Sequence, residues 1–372
     1  MKIMTTNKLE EYVFRVFEEL HNMPEVGYDE YKTSAFIANE LKEMGYTVLD
    51  KINGTGVIGI LDSKNPGPIF ALRADMDALE FEKDGEKYNL HACGHDANAS
   101  MVLGAAKQII ETGISTGKIY VVFQPAEEKL GGSKSIIESG HINEVEEMVG
   151  IHLRPIQEAK LGEATPALIH GSSKRVDITV KGLNSHGARP HLGVNAVDAG
   201  VAITNAINSI KANPAVSYSV KVTSFKAGGE VFNIIPDRAV LTVDIRAQTN
   251  EVMDDIRTKL DYAIENGAKT VGAQSQIDFE GGVPAAEHNE DLIQLADEVI
   301  KEELGKSLDP MLTPGAEDFH FYSQDLGIKT TYIGLGADLK PGLHHPDMSF
   351  DKSALIKGCN ILVKMTKKRL ED

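Results

Sequence analysis

Apolar residues recur three and four positions apart over residues 9–20 and again over 33–44, the spacing that lines one face of a helix. Residues 56–61 and 68–72 are short apolar runs of strand length, and residues 101–110, rich in Ala, Leu and Ile, return to helical spacing. Further strands are expected at 118–123, 148–151 and 329–335, with a closing helix at 353–370. Buried strands alternating with amphipathic helices predict an α/β layered domain.

The pattern changes between residues 171 and 282. A strand with alternating polarity at 175–180 is followed by a helix at 196–210, strands at 216–225 and 238–247, a helix at 251–267 and a strand at 275–279. The order β-α-β-β-α-β is the ferredoxin-like arrangement, which closes on itself as a compact unit. The expectation is therefore a discontinuous first domain, residues 1–170 and 283–372, interrupted by an inserted α+β domain at 171–282. There is no internal repeat or low-complexity tract.

Composition narrows the function classes. A chain of 372 residues exceeds the size at which one core usually keeps growing, which agrees with two domains. A formal net charge of −17 disfavours phosphate backbones and anionic lipid, so neither nucleic acid nor membrane is an expected partner. Aromatic residues, at 6%, are also too sparse to suggest a base-stacking surface on the ferredoxin-like unit. Residues 1–14 lack the apolar stretch of a secretory signal, and no segment has the length and apolarity of a membrane span. The two cysteines, Cys93 and Cys359, stand in unrelated contexts, so a disulfide framework is not expected and a reducing cytoplasm is the expected location. Cys359 falls on the apolar face of the last helix and reads as packing; Gly228-Gly229 reads as a turn.

In open α/β sheets ligands bind beyond the carboxyl ends of strands, and the polar clusters of this chain fall there. Asp75 and Asp77 follow the strand at 68–72, Glu127 and Glu128 follow 118–123, His152 follows 148–151, and His344-His345 follows 329–335. A loop carrying His91, Cys93, His95 and Asp96 precedes the helix expected from about 99. Each cluster has a bland alternative: a structural cysteine beside Gly94, a solvated acidic loop, a satisfied core histidine, an exposed histidine pair. Taken together, a thiolate, imidazoles and a carboxylate at strand ends make the ligand inventory of a catalytic metal site with a position left for water. Adjacent Glu127 and Glu128 cannot point the same way, so one can bind metal while the other handles a proton.

At this point the chain resembles the metallopeptidase-like amidohydrolases, which include N-acyl-amino-acid amidohydrolases, hippurate hydrolases and auxin-conjugate hydrolases. The resemblance spans nearly the whole chain and rests on an ordered set: Arg-Ala-Asp-Met-Asp-Ala-Leu at 73–79, His-Ala-Cys-Gly-His-Asp at 91–96, Phe-Gln-Pro-Ala-Glu-Glu at 123–128, Gly-Ile-His at 150–152, His-Gly-Ala-Arg-Pro-His at 186–191, Asn-Ile-Ile-Pro-Asp at 233–237, Gly-Ala-Glu-Asp-Phe at 315–319 and Leu-His-His-Pro at 343–346. Segments at 150–155, 171–173 and 341–346 look most like a bacterial subgroup known as AmhX. The resemblance implies a three-layer zinc-peptidase-like catalytic domain whose inserted lid dimerises. It implies that Cys93, His95, Glu128, His152 and His344 bind one or two divalent ions, zinc best matching thiolate and imidazole, with manganese, cobalt or nickel as alternatives.

Under the same resemblance Glu127 is the proton-transferring base, Asp77 orients a ligand, His186 stabilises the oxyanion by reaching in across a dimer, and Asn233 and Arg246 contact the substrate carboxylate. The implied reaction is hydrolysis of the amide bond of a small N-acyl amino acid. A dipeptidase or carboxypeptidase acting on unblocked peptides is the rival within enzymes, and a catalytically inactive metal-stabilised binding module is the rival outside them. Three departures from the family pattern stand out: Glu80 where Pro is usual, Asn98 where His is frequent, and His345 where Ser is usual, so that His345 receives no ligand role.

Overall fold

The computed structural model describes residues 6–313 and 315–371, and its chain divides into two compact units. The first contains residues up to Ile169, Glu287–Thr313 and those from Glu317 onward; the second is built on His170–Ala286.

The first unit holds a seven-stranded sheet in the order Thr47–Ile52, Gly56–Asp62, Lys118–Gln124, Ile69–Asp75, Glu147–Pro155, Lys329–Leu339, Ala164–Thr165. The four strands from Lys118–Gln124 to Lys329–Leu339 run parallel, and the outer ones pair antiparallel. Side chains alternate across it, as strand geometry requires. Phe70, Leu72, Ala74, Ile119, Val121, Phe123, Ile333 and Leu335 enter one apolar cluster with residues of helices Thr6–His21, His95–Thr112, Glu290–Leu304 and Ala354–Leu370. Ala71, Tyr120, Val122, Met148 and Tyr332 enter a second cluster with residues of the short helices Gly132–Glu138 and Phe321–Leu326. The same parity puts Arg73, Asp75 and Gln124 on the second face, so their burial there demands polar partners.

Two expectations shift. The helix expected from about 99 begins at His95, because Gly94 takes the left-handed conformation (φ 83°) that turns the chain into the helix, and its carbonyl accepts the Asn98 N–H at 3.0 Å. His152 lies inside Glu147–Pro155 rather than after it, because pairing with Lys329–Leu339 continues through it, opposite Gly334. Cys359 is fully buried in the final helix, its thiol donating to the Met101 carbonyl at 3.3 Å.

The second unit has a four-stranded antiparallel sheet in the order Tyr218–Ala227, Arg238–Ala247, Ser172–Lys181, Gln274–Val283. Helices Ala196–Asn208 and Asn250–Lys269 share its apolar cluster, giving the β-α-β-β-α-β order of the expected fold. Asn195 and Thr249 cap these helices by accepting from the N–H groups of Val197 and Val252. The helices touch at Gly267, where an added Cβ would lie 2.8 Å from the Ile203 Cα. Intrinsic propensity favours Ala over Gly in a helix by about 1 kcal/mol, but here the backbone contact outweighs it. Gly267→Ala is expected to destabilise the protein by about 1–3 kcal/mol, read as a lower urea midpoint; a midpoint unchanged or raised would show that the helices separate freely.

Candidate metal centre

The parallel strands deliver the polar residues to one end of the first unit's sheet. Ile69–Asp75 ends on Asp75, with Asp77 two residues on. Lys118–Gln124 leads into the single turn Glu127–Lys129, entered through Ala126 at φ 53° and left through Leu130 at φ 56°. Two non-glycine residues in left-handed conformation around three residues mark a turn enforced by its surroundings. His344, itself at φ 62°, donates its N–H to the Ala92 carbonyl at 2.6 Å, which ties the loop near the C-terminus to the loop of Cys93.

These elements bring together the five residues expected to bind metal, in overlapping sets. Ligand atoms of Cys93, His95 and His152 lie within 4.8 Å of one another, as do those of Cys93, Glu128 and His344, and those of His95, Glu127 and Glu128. The Cys93 Sγ is 3.6 Å from His152 Nε2, and the His344 Nε2 is 3.2 Å from Glu128 Oε1. His152 Nδ1 is engaged by the Leu153 carbonyl at 2.7 Å. His95 Nδ1 is engaged by the Asp77 carbonyl at 3.0 Å and by Asp77 Oδ1 at 3.1 Å, while Asp77 Oδ2 accepts the Glu128 N–H at 3.0 Å. Both imidazoles are thereby oriented through Nδ1 with Nε2 presented inward, and the His95 Nε2 is buried without a hydrogen-bond partner among the described residues. Two oriented imidazole nitrogens, a thiol and a carboxylate around a common centre fit a divalent metal ion. His345 belongs to none of the sets; its Nδ1 accepts the Asp347 N–H at 3.0 Å.

Burial dominates the electrostatics. It pushes the Cys93 thiol up to about 12 and the His152 imidazole down to about 4, so His152 is a neutral donor at physiological pH. Burial also opposes the charge on His95, but Asp75 and Cys93 outweigh it and raise this imidazole well above its usual value. For Glu128 burial is the largest single effect, but the hydrogen bond to His344 and the charges of His95 and His344 together outweigh it and lower its carboxyl. Glu127 goes the other way: burial, then Glu317 and Asp318, raise it well above the carboxylate range. The adjacent carboxylates are thus pushed apart in proton affinity, the pattern of groups with different tasks.

A cluster that sequence reading left without a role supports this end of the sheet. The fully buried Arg73 donates to Asp75 Oδ2 at 2.6 Å, Gln124 Oε1 at 2.9 Å, and both Glu317 Oε1 and Asp318 Oδ1 at 3.2 Å. Gln124 Nε2 and the Ser133 N–H also donate to Asp318, at 2.7 and 3.0 Å. Carboxyl oxygens of Glu127, Glu317 and Asp318 lie within 4.8 Å of one another. Burial, partly offset by Arg73, pushes Glu317 up to about 7 and Asp318 up to about 6. The available signal was an arginine continuing the apolar strand run, since a guanidinium at such a position requires buried acids. Asn98, the departure from the family pattern, donates to Asp75 Oδ1 at 2.8 Å.

The remaining expected site residues lie in the second unit. His186 and Asn233 are exposed at neighbouring positions of a small ribbon, in which Ser185–His186 pairs with Ile234–Ile235 and the Gly187 N–H donates to the Asn233 carbonyl at 2.7 Å. The His186 Nδ1 accepts the Ala188 N–H at 3.0 Å. Arg246 stands near the end of Arg238–Ala247, half-exposed and paired with Asp244 at 3.2 Å.

Comparison with known proteins agrees with this geometry. Residues 71–368 match the model of peptidase family M20/M25/M40. The chain is 30% identical to an N-acetyl-L-cysteine deacetylase of Bacillus subtilis (strain 168), over 98% of this chain and 89% of that protein. It is also 30% identical to a hippurate hydrolase of Campylobacter jejuni, over 96% of each. The crystal structure of a putative aminohydrolase from methicillin-resistant Staphylococcus aureus superposes with a TM-score of 0.90 at 25% identity, over 99% of this chain and 98% of that one. A metal-fitting donor set at the carboxyl ends of a parallel sheet and a family match over most of the chain lead to one conclusion: this protein belongs to peptidase family M20/M25/M40.

Proposed function

We propose that this protein hydrolyses the amide bond of N-acyl amino acids. The observation that carries the reading is the pairing of Glu128, turned toward Cys93 and His344, with Glu127, turned toward the buried acids and raised in proton affinity. A binding module stabilised by metal has no use for that second carboxylate. The relatives named as a deacetylase of an acetylated amino acid and as a hippurate hydrolase support the choice of substrate class.

Cys93, His95, Glu128, His152 and His344 would hold one or two divalent ions, zinc being the best match to thiolate and imidazole. When bound, the metal supplies Lewis acidity toward a carbonyl oxygen and toward water. Glu127 takes the proton from the attacking water and returns it to the leaving amine. Asp77 keeps His95 and the backbone of Glu128 in place. His186 donates to the oxyanion, and Asn233 and Arg246 bind the substrate carboxylate; their exposure leaves them available for such contacts. A homodimer through the inserted unit accords with its outer strand Tyr218–Ala227 and the exposed Phe232. Two unpaired cysteines suit a reducing compartment, and no helix among the described residues is long and apolar enough to cross a membrane.

Glu127→Gln is expected to retain bound metal and to lower kcat by about a hundred- to ten-thousand-fold, measured by metal analysis alongside turnover; full turnover would remove Glu127 from the role of base. Substrate class is tested by comparing kcat/KM for N-acetyl amino acids, hippurate and unblocked dipeptides on the metal-loaded protein. The acylated compounds are expected to be turned over and the dipeptides not. A preference for dipeptides would move the assignment to a peptidase.

A further inference from the structure

Glu127 is held from both sides through its neighbours' backbone. The Glu128 N–H donates to Asp77, and the Ala126 N–H donates to Glu30 Oε1 at 2.8 Å. Glu30 lies almost a hundred residues earlier and is fully buried, and its other oxygen accepts from the Thr55 hydroxyl at 2.7 Å. Ala126 is the left-handed entry to the turn. Gly27 lies directly against it, where an added Cβ would sit 2.9 Å from the Ala126 Cα. The same segment grips the other loop: the Ala78 N–H donates to the Glu25 carbonyl at 2.8 Å, and Val26 forms a bridge with Ala78. Residues 25–30 therefore touch both the loop of Asp77 and the turn of Glu127, the two pieces of backbone that set where the carboxylates point.

A buried carboxylate is an expensive way to satisfy one N–H and one hydroxyl, because it must be desolvated. Its use is geometric. The oxygen that Thr55 does not engage accepts the Ala126 N–H, and this bond holds Ala126 in a conformation that a non-glycine residue does not adopt unaided. We propose that Glu30 is a positioning residue for the Glu127–Glu128 turn, acting through the Ala126 N–H. The proposal rests on the reading of Glu127 as the base. Displacement of a reacting group by about 1 Å can cost about a hundredfold in rate, so release of this turn lowers kcat before it affects substrate binding.

The test uses the full chain reconstituted with zinc, and compares Glu30→Leu, Glu30→Gln and Thr55→Val. Kinetics on N-acetyl-L-methionine and hippurate are combined with zinc content, melting temperature, and amide hydrogen exchange over residues 123–132 in the metal-free protein. Glu30→Leu is expected to lower kcat at least about tenfold with KM and zinc content near wild type, and to accelerate exchange in that segment. Glu30→Gln, whose carbonyl oxygen still accepts from Ala126, is expected to restore most of kcat. Thr55→Val removes the other partner of the same carboxylate, so it is expected to lower the melting temperature while leaving kcat and exchange close to wild type. Wild-type kcat and exchange in Glu30→Leu would overturn the proposal, as would a Thr55→Val variant that loses kcat as far as Glu30→Leu does. If Glu30→Leu does not fold, Gly27→Ala takes its place, because its methyl group presses on the same turn from outside; a lowered kcat supports the proposal and an unchanged one overturns it. Should Glu127→Gln prove fully active, the reading of the base fails, and the exchange data, which need no substrate, still decide whether Glu30 holds the turn.

Discussion

Six carboxylates, those of Asp75, Asp77, Glu127, Glu128, Glu317 and Asp318, stand around one end of a parallel sheet, and among the described residues Arg73 is the guanidinium bonded to three of them, Asp75, Glu317 and Asp318. One fixed positive charge cannot balance them in a buried setting. Burial and then neighbouring like charges raise the proton affinity of Glu127, Glu317 and Asp318, and Asp75 and Cys93 raise that of His95, so the metal-free site holds protons more readily than exposed groups do. A divalent ion at Cys93, His95, Glu128, His152 and His344 would displace some of those protons and supply the missing charge. Folding and metal binding thus draw on one electrostatic requirement.

The sheet turns that requirement into geometry. Alternation along Ile69–Asp75 and Lys118–Gln124 sends Phe70, Leu72 and Phe123 into one core and leaves Arg73, Asp75 and Gln124 on the opposite face. Arg73 then gathers Asp75 from its own strand and Glu317 and Asp318 from a distant loop. On the side of the thiol, Asp77 joins His95 to the backbone of Glu128. Asp75, Glu317 and Asp318 are anchored on Arg73 and Glu128 on His344, while Glu127 lies among the buried acids, so the adjacent Glu127 and Glu128 reach different proton affinities. That separation allows one to serve a metal and the next to move a proton.

Periodicity and strand-end position made much of this legible in the sequence. The alternation over 175–180 falls within the strand Ser172–Lys181, and the strand expected at 238–247 coincides with Arg238–Ala247. Strand-end position singled out Glu127-Glu128, His152 and His344-His345, Cys93 and His95 stood out on a loop, and the choice of five ligands among them came from the family resemblance. What escaped depends on contacts remote in sequence. Nothing local to Arg73 names Asp318, 245 positions away, as its partner. Glu30 looks like an ordinary surface acid ahead of the helix Tyr31–Met44 until the turn at Ala126 folds onto it. The hairpin Leu79–Lys83 with Glu86–Leu90 was missed for another reason: its charged, half-exposed strands lack the apolar signal by which the buried strands were recognised.

Whether Cys93 is a metal ligand tests the account most directly, because both His152 and the Glu128–His344 pair meet at its sulfur. Cobalt(II) substituted into the metal-free protein reports on sulfur ligation by a thiolate-to-cobalt charge-transfer band in the near ultraviolet. The account predicts that band in the wild-type protein and its loss in Cys93→Ser, with cobalt still bound through the imidazoles and Glu128. A cobalt-loaded wild-type protein without the band, or a band unaffected by Cys93→Ser, would contradict it.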